Sequence, residues 1–353
     1  LVWRFMAAFG GTLLRWYKKH ARELPWRETR DPYVIWLSEV ILQQTRVEQG
    51  LLYFHRFTEA FPTVHDLARA KEEKVMKLWQ GLGYYSRARN LHKAAKVVAN
   101  EYQGKFPRTF DELRSLPGVG DYTAAAIASF AFDQAVAVVD GNVFRFLSRC
   151  FGIDTPIDSP RAKREFRELA ESLMEGHAPH FFNQAIMEFG ATSCKPAQPL
   201  CASCPFRDTC HAYQRDLITS LPVKAKKQQV RDRYFHYLIL NTPKGVYLRQ
   251  RATGDIWAKL YEFPLIETDQ PTEPASLMRS SAWKRILGKQ PIHIRQISRE
   301  YKHLLSHQRI HARFYLLDGK VKPEQDWILA DKAKRKRLAV SRLVETGLEQ
   351  AGF

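Results

Sequence analysis

The fold of the first part of this chain is decided by the stretch LPGVGDYTAAA, Leu116–Ala126. Its two glycines, Gly118 and Gly120, stand between two runs in which apolar residues recur at helical spacing. Glycine permits positive φ and close backbone approach, and the N–H groups that open the next helix can hold an anion such as a DNA phosphate. A plain helix–helix turn explains the glycines about as well. The stretch therefore predicts a helical hairpin and a candidate phosphate site.

A carboxylate follows this hairpin in AVAVVDGNVFRFLSR, residues 135–149. Asp140 comes after a strand-like apolar run and directly before Gly141 and Asn142. The carboxylate could face the same bound backbone, and it could equally be the N-cap of the following helix. The pattern leaves both interpretations open.

Four of the five cysteines crowd into one short segment with the spacing C-x6-C-x2-C-x5-C. They are Cys194, Cys201, Cys204 and Cys210. Such crowding indicates metal ligation in a reducing compartment rather than a disulfide framework. Four thiolates suit either zinc or an iron–sulfur cubane, although zinc sites usually present two close pairs. Because protein fills all four positions, we expect a structural or redox centre that does not hold substrate.

Composition and charge point to a folded protein that binds a polyanion. The 353 residues exceed one comfortable core, so two domains are expected. The 55 Lys and Arg outnumber the 37 Asp and Glu, which gives a net charge of +18 and favours nucleic acid as the partner. A hydrophobic content of 45% excludes a disordered chain, and no apolar run is long enough to span a bilayer.

The pattern along the chain changes near residue 220. Residues 1–215 are predicted to be helical, 216–229 to be a linker, and 230–353 to form a smaller α+β domain. The predicted strands are RYFHYLIL, GVYLRQ and HARFYLL, and the predicted helices of this domain are SLMRSSAWKRIL and SRLVETGLEQ. The fold class is thus mainly α with a second α+β domain.

Taken in order, LPGVG, VDGNV and the four-cysteine segment resemble the endonuclease III superfamily of helix–hairpin–helix DNA glycosylases. Within it the chain closely resembles the adenine DNA glycosylase (MutY) family. The further stretches that carry the resemblance are LPWRETRDPYVIWLSEVILQQTRV, GLGYYSRARNLHKAA and FNQAIMEFGA. The match is dense over the first 215 residues and thinner beyond them.

This resemblance implies a helix–hairpin–helix domain whose loop 194–210 binds a [4Fe-4S] cluster, followed by a Nudix-like domain. It implies a monomeric base-excision enzyme that is intracellular with DNA, for example in the bacterial cytoplasm with the nucleoid. Its substrate would be double-stranded DNA in which adenine is mispaired with 8-oxoguanine or guanine.

Two positions bear on the chemistry. Strand-cleaving members of the superfamily carry a lysine where this chain has Tyr122, and a phenol cannot form the Schiff base that strand cleavage requires. Glu39 lies in the apolar run WLSEVIL, either at a solvent edge or in a dry pocket, where desolvation would raise its pKa and make it a general acid. The resemblance assigns Glu39 to protonating N7 of a flipped adenine. It assigns Asp140 to stabilising the sugar oxocarbenium ion, with Tyr122 hydrogen-bonded to Asp140.

The resemblance also assigns the binding residues. The adenine pocket would include Arg22, Trp26, Arg27, Leu42 and Gln184, the last at a position where some relatives carry glutamate. DNA would be wedged or held by Gln44, Tyr84, Gly118, Gly120 and Asn142. 8-Oxoguanine would contact Thr45, Leu82, His303, Leu305, Ser306 and His307.

The second domain departs from the family pattern at two points. Leu305 replaces the phenylalanine of the family's Phe-Ser-His loop, which puts a stacking role there in doubt, and HLLSH could also be a β-hairpin with surface histidines. A glutamate-rich, Mg²⁺-binding helix is missing, and only Glu267 and Glu273 stand in a loop-like context after Pro264. We expect recognition without hydrolysis.

Two other functions remain open. The chain could be a mismatch thymine or other pyrimidine glycosylase on the same scaffold, or a noncatalytic lesion-binding protein. The first would lack the second domain and the glutamate of LSEV, and the second would need neither Glu39 nor Asp140.

Overall fold

The structure is a computed structural model that describes residues 2–225, 230–288, 292–319 and 321–352, with side chains from Ala8 onward. The chain divides into two compact units, Leu1–Arg69 with Asn90–Lys227, and Ala70–Arg89 with Gln228–Phe353. In the described part of the chain, no helix combines the length and the apolar content that a bilayer span requires.

The first half of the chain is helical. In order, its helices are α1 Val2–His20, α2 Pro32–Leu42, α3 Val47–Ala60, α4 Val64–Arg69, α5 Glu72–Trp79, α6 Ser86–Asn100, α7 Phe110–Ser115, α8 Asp121–Phe132, α9 Gly141–Phe151, α10 Pro160–Met174, α11 Pro179–Thr192 and α12 His211–Gln214. Short 3₁₀ turns lie at Pro25–Arg27, Cys201–Ser203 and Arg207–Thr209.

Small side chains allow α8 to lie at the centre of the first unit. Its residues from Thr123 to Phe130 are all buried, and it packs against α2, α7 and α11. Alanine side chains at 124–126 let these neighbours approach closely, as the run TAAAIA predicts. The hairpin before α8 is thereby held against α2, which carries Glu39.

A second apolar centre consists of aromatic rings beneath the cysteine segment. The rings of Phe146 on α9 and Phe189 on α11 have centroids 4.4 Å apart, and Phe206 lies 5.2 Å from Phe189. Phe206 stands between the third and fourth clustered cysteines, so its burial anchors that segment to the core. Cys150, the fifth cysteine, is 2% exposed in the same core and packs there as an apolar residue.

The second unit contains a mixed eight-stranded sheet among its described residues. Its elements are β1 Arg231–Thr242, β2 Gly245–Gln250, β3 Tyr261–Glu262, β4 Leu265–Thr268, α13 Pro274–Arg279, α14 Ser281–Leu287, β5 His293–Ile297, β6 Tyr301–Leu304, β7 Gln308–Asp318, β8 Trp327–Ala330, α15 Lys332–Arg337 and α16 Arg342–Gln350. β1 and β7 pair in parallel from Arg231 with Gln308 to Leu240 with Leu317.

Both faces of this sheet are covered because β1 alternates its side chains. Phe235, Tyr237 and Ile239 enter one core with residues of α16, whereas Leu238 and Leu240 enter another with residues of α14. A strand buried on both faces explains the nearly continuous apolar run that predicted it.

The predicted fold class is confirmed, and the strands RYFHYLIL, GVYLRQ and HARFYLL are present as β1, β2 and β7. Two predictions of elements were wrong. SLMRSSAWKRIL forms two helices, because Ser280 adopts extended geometry and caps α14 by accepting from the Trp283 N–H. The apolar run 135–139 is not a strand; it leads without regular structure into α9.

Residues 70–89 group with the second unit, whereas the sequence placed them in the first domain. The physical reason is a set of polar contacts within that unit: Lys77 Nζ donates to the Leu338 carbonyl at 3.0 Å, and Arg89 donates to the Ala258 carbonyl at 2.8 Å. Of the predicted linker 216–229, residues 226–229 lie outside the described residues.

Candidate active site

A cavity of about 810 Å³ opens in the first unit. Residues from α2, the glycine hairpin, α9 and α11 line it. They include thirteen of the residues that the sequence singled out: Arg22, Trp26, Arg27, Glu39, Leu42, Gln44, Thr45, Gly118, Gly120, Tyr122, Asp140, Asn142 and Gln184. The two predicted catalytic carboxylates, Glu39 and Asp140, thus share one cavity with the predicted adenine pocket.

Glu39 lies in the dry part of this site. It is 6% exposed, so the solvent-edge alternative is wrong. Burial raises the pKa of its carboxyl from the ordinary 4.5 to about 7, although a hydrogen bond from Tyr122 acts in the opposite direction. A carboxyl group with a pKa near 7 is protonated in a large fraction of molecules at neutral pH, and a general acid needs that proton.

Tyr122 has a different partner from the predicted one. Its hydroxyl donates to Glu39 Oε2 at 2.6 Å, which corrects the expected hydrogen bond to Asp140. The reason is that Tyr122 lies in the first turn of α8, and α8 packs directly on α2. Burial, with the nearby Glu39 and Asp140 charges, raises the pKa of the Tyr122 phenol well above its usual value, so the phenol remains a donor.

Asp140 is the N-cap of α9, as one of its two interpretations predicted, and it also lines the cavity. Its Oδ1 accepts from the backbone N–H groups of Asn142 and Val143, each at 2.8 Å, and its Oδ2 accepts from the Asn142 side chain at 2.6 Å. Burial raises the pKa of the Asp140 carboxyl, and these three donors oppose that rise. Asp140 therefore has more support for its ionised form than Glu39 has.

Asn142 was predicted to contact DNA, but its side chain is engaged inside the protein. Its amide nitrogen donates to Asp140, and its Oδ1 accepts from Arg145 Nη2 at 2.9 Å. Arg145 also donates from Nε to the Cys194 carbonyl at 2.8 Å. Hydrogen bonds thus run from Asp140 through two side chains to the backbone of the first clustered cysteine. The sequence analysis did not single out Arg145.

Glu188 is a further residue of the cavity that the sequence analysis missed. It is 1% exposed on α11 and receives both arginines of the predicted adenine pocket: Arg22 Nε at 2.7 Å and Arg27 Nη2 at 2.7 Å. Burial alone would raise the pKa of its carboxyl, but the hydrogen bonds from the two arginines keep that pKa below the usual value. A glutamate among apolar residues in AIMEFGA was the available signal.

The other predicted pocket residues are fixed by neighbours. Trp26 is buried and packs edge-on against Phe54, with ring centroids 5.1 Å apart. Gln184 Oε1 accepts from the Tyr17 hydroxyl at 2.8 Å, and Arg27 lies 5.8 Å from the centre of the Tyr17 ring. Tyr17 is the second pocket neighbour that sequence reasoning did not identify.

The two hairpin glycines differ in backbone conformation and in their surroundings. Gly118 has φ +75°, and a Cβ there would lie 2.5 Å from Asn90 Cβ. Gly120 has φ −93° and would place a Cβ where no atom lies within 4 Å, so only Gly118 uses the positive φ that glycine permits. The space beside Gly120 is open to an incoming group.

The two predicted wedge residues both have left-handed backbones. Gln44, at the end of α2, has φ +55° and is exposed, and Tyr84, between α5 and α6, has φ +46°. Residues other than glycine and asparagine rarely adopt this left-handed backbone conformation, and such strain tends to occur at functional positions.

The predicted lesion residues are distributed over both units. Thr45 belongs to the first unit, whereas Leu82, His303 and residues 305–307 belong to the second. The segment 305–307 is the turn of an antiparallel hairpin between β6 and β7, as one interpretation of HLLSH predicted. Ser306 and His307 are exposed, and the Ser306 hydroxyl hydrogen-bonds the Tyr84 hydroxyl.

The two leucines at this turn differ in exposure. Leu305 packs against the sheet core, whereas Leu304 is 72% exposed. Leu82 is buried, and His303 packs edge-on against Trp257. Leu305 is therefore partly buried at this turn, and the exposed aliphatic side chain is that of Leu304.

The carboxylates after Pro264 do not form a magnesium site in the described part of the chain. Glu267 lies in β4 and not in a loop, where both of its oxygens accept from Arg233 at 2.6 and 2.7 Å. Glu273 precedes the short helix α13 and is far more exposed.

The four clustered cysteines line one small cavity of about 20 Å³ above the phenylalanine cluster. Arg149 donates to Cys194 Sγ at 3.7 Å, which places a cation beside the thiols. Burial raises the pKa of the Cys204 thiol to about 11. Among the described residues no group of three potential ligands is arranged to hold a metal ion, but four thiols converging beside an arginine fit an anionic thiolate-bound centre in their chemistry.

Comparison with known families gives two matches along the chain. Residues 37–172 match the family described as HhH-GPD superfamily base excision DNA repair protein, and residues 236–350 match the NUDIX domain.

Whole-chain relatives are adenine DNA glycosylases. The enzyme of Mus musculus is 36% identical, with 88% of this chain and 71% of that protein covered. The enzyme of Buchnera aphidicola subsp. Schizaphis graminum is 34% identical, with 74% and 75% covered.

Solved structures resemble the helical part. A thermostable thymine-DNA glycosylase is 32% identical with a TM-score of 0.56, and the match covers 60% of this chain and 98% of that one. A trapped endonuclease III–DNA covalent intermediate is 25% identical with a TM-score of 0.52, and the match covers 59% and 95%.

Proposed function

The chain belongs to the adenine DNA glycosylase family, and from that membership we propose that it releases adenine mispaired with 8-oxoguanine or guanine without cutting the DNA strand. The family fixes the reaction as hydrolysis of an N-glycosidic bond in DNA. The mispair, the strand outcome and the residue roles are the proposal.

The observation that carries it is the buried Glu39 carboxyl, whose pKa is about 7, in a cavity that also holds Asp140. Adenine leaves poorly as an anion and well once a ring nitrogen is protonated. In the proposed step Glu39 gives its proton to N7 of the flipped base. The bond between the sugar and the base then breaks, and its electron pair goes to the base.

Asp140 acts on the sugar. Its carboxylate, which accepts three hydrogen bonds at the start of α9, stabilises the positive charge that develops on the sugar ring. Water then adds to the anomeric carbon and gives a proton to the Glu39 carboxylate, which the first step left deprotonated. The hydrogen bonds through Asn142 and Arg145 keep Asp140 in place during this step.

Tyr122 limits the reaction to base release. No amine stands at its position, so no imine with the sugar forms there. Its role is to hold Glu39, because its hydroxyl donates to that carboxyl.

The base would lie among Trp26, Leu42, Gln184 and the ion-paired group of Arg22, Arg27 and Glu188. Glu188 is buried and holds both arginines at the cavity wall through its two ion pairs. We assign Glu188 to positioning these arginines.

DNA would be held by the hairpin and opened by two strained residues. The open space at Gly120 accommodates a phosphate near the N-terminus of α8, and Gln44 and Tyr84 act as wedges. We keep Asn142 as a residue that positions Asp140.

The second domain, residues 230–353 after a linker at 216–229, would read 8-oxoguanine, with residues 1–215 as the glycosylase domain. Ser306 and His307 are exposed on a hairpin turn, with His303 and Leu305 supporting it and Thr45 and Leu82 as further contacts. Arg233 neutralises Glu267, so this domain would recognise the lesion without hydrolysing a nucleotide.

A [4Fe-4S] cluster would be bound by Cys194, Cys201, Cys204 and Cys210 and would fix the segment that carries them. The cluster when bound supplies a closed redox-capable centre and no chemistry on the base. An absorbance band at about 400 nm in the purified protein would identify iron, and a zinc protein would lack it.

The function is tested by single-turnover cleavage of duplexes that contain A:8-oxoguanine, A:G or T:G. The parent protein should release adenine from the first two, and strand breaks should appear only after alkali. Asp140→Asn should bind the first duplex but release no base. Release of thymine in place of adenine would support the mismatch pyrimidine alternative, and binding of the first duplex without any release would support the noncatalytic one.

A further inference from the structure

We propose that Arg87 is a positioning residue that holds the wedge residue Tyr84 in its working orientation. The proposal deepens the function above and rests on Tyr84 acting as a wedge. All residues that carry it lie between 79 and 87 or in the hairpin of β6 and β7, within the second unit.

The guanidinium of Arg87 lies between two aromatic rings. Its central carbon is 5.1 Å from the centre of the Trp79 ring and 5.4 Å from the centre of the Tyr84 ring. Trp79 is fully buried, whereas Tyr84 is 43% exposed. The three side chains therefore form a stack that is fixed in the core at one end and presents the tyrosine at the other.

The backbone beneath the stack leaves Tyr84 dependent on side-chain support. Gly81, Gly83 and Tyr84 all have positive φ, of +98°, +74° and +46°, and for tyrosine this conformation is strained. The Trp79 indole donates to the Gly83 carbonyl at 2.9 Å, and the Arg87 N–H donates to the Tyr84 carbonyl at 2.9 Å. Trp79 and Arg87 thus hold both the backbone and the ring.

The chemistry of the guanidinium suits this place. It is planar, weakly hydrated and able to stack on aromatic faces while it keeps its charge, and a lysine ammonium offers no such plane. Burial lowers the pKa of Arg87 to about 10, so the group remains charged at neutral pH. At its outer end the stack contacts the turn between β6 and β7, where the Tyr84 hydroxyl forms a hydrogen bond with the Ser306 hydroxyl.

A double-mutant cycle tests the proposal with the full-length protein. Arg87→Met should slow single-turnover release from A:8-oxoguanine by about tenfold, since a desolvated cation–π contact of this type is lost. Tyr84→Leu removes the wedge itself. If Arg87 acts through Tyr84, Arg87→Met should add almost nothing in the Tyr84→Leu background.

Two further readouts separate positioning from other roles. Base extrusion, followed by 2-aminopurine fluorescence opposite 8-oxoguanine, should fall in Arg87→Met by the same factor as base release. The Kd for an undamaged duplex should match that of Lys93→Met, a control that removes an exposed charge from the same helix. Arg87→Lys should recover less than half of the lost rate.

Equal losses in the parent and Tyr84→Leu backgrounds would overturn the proposal. A loss that disappears at saturating protein and follows the salt dependence of Kd would also overturn it and make Arg87 a phosphate contact. If Arg87→Met fails to fold, the cycle is run with Arg87→Lys under the same criteria. Failure of the parent protein to release adenine would instead refute the proposed function.

Discussion

Replacing Glu39 with glutamine should stabilise the folded protein at alkaline pH while it abolishes base release. The carboxyl lies in a dry cavity, and burial raises its pKa from 4.5 to about 7. Above pH 7 the native protein therefore holds a desolvated negative charge. Glutamine is nearly isosteric, carries no charge and can still accept the hydrogen bond from Tyr122.

The magnitude follows from proton linkage. Because the folded-state pKa is higher than the unfolded one, the folded protein binds more protons between pH 4.5 and 7, and stability falls as pH rises through this range. The rise of the pKa, at about 1.4 kcal/mol per pH unit, corresponds to a cost of about 3 kcal/mol above pH 7. At pH 5 the cost is below about 1 kcal/mol, since the group is then protonated in the folded protein.

The measurement is reversible urea unfolding at pH 5 and pH 8.5, followed by tryptophan fluorescence. At each pH the free energy of unfolding of Glu39→Gln is compared with that of the parent protein. This difference should favour the variant by about 2–3 kcal/mol more at pH 8.5 than at pH 5. Glu59→Gln, at an exposed position of α3, should show no such difference. A Glu39→Gln advantage that is absent at pH 8.5, or equal at both pH values, would refute the desolvated carboxyl and with it the general acid.

Three further outcomes follow from the site. In the parent protein, single-turnover base release should fall as pH rises above about 7, because the proton of Glu39 is consumed in the reaction; a flat profile from pH 6 to 9 would contradict this. Tyr122→Phe removes a hydrogen bond that favours the ionised carboxyl, so the falling limb should move to higher pH, and a limb at unchanged pH would exclude the coupling. Gly118→Ala, with its positive φ and its contact with Asn90, should lower the free energy of unfolding by at least about 1 kcal/mol, whereas Gly120→Ala should leave it unchanged and weaken duplex binding in fluorescence anisotropy.

Much of the site was within reach of the sequence because its signals are local. The hairpin glycines, the aspartate before α9 and the glutamate inside an apolar helix each stand out over a few residues. α2, α8 and α9 then bring them to one cavity, since the alanine-rich α8 lets its neighbours approach. The four cysteines are likewise close in the chain and needed little from the fold to converge.

The same local signals did not predict which side chains bond to each other across the fold. Tyr122 was expected to bond Asp140 and bonds Glu39, and Asn142 was expected on DNA and bonds Asp140. The apolar surroundings of Glu188 in AIMEFGA were a local signal, but only the fold brings Arg22 and Arg27 to it.

The sequence by itself determined most of the elements and which chemical groups this protein has, because apolar periodicity, glycine and cysteine spacing act within a few residues along the chain. Only the tertiary structure decided which group bonds which, and which carboxyl becomes desolvated. Both depend on the approach of helices that are distant in sequence, so the raised pKa of Glu39 is a property of the packed cavity and not of the segment WLSEVIL.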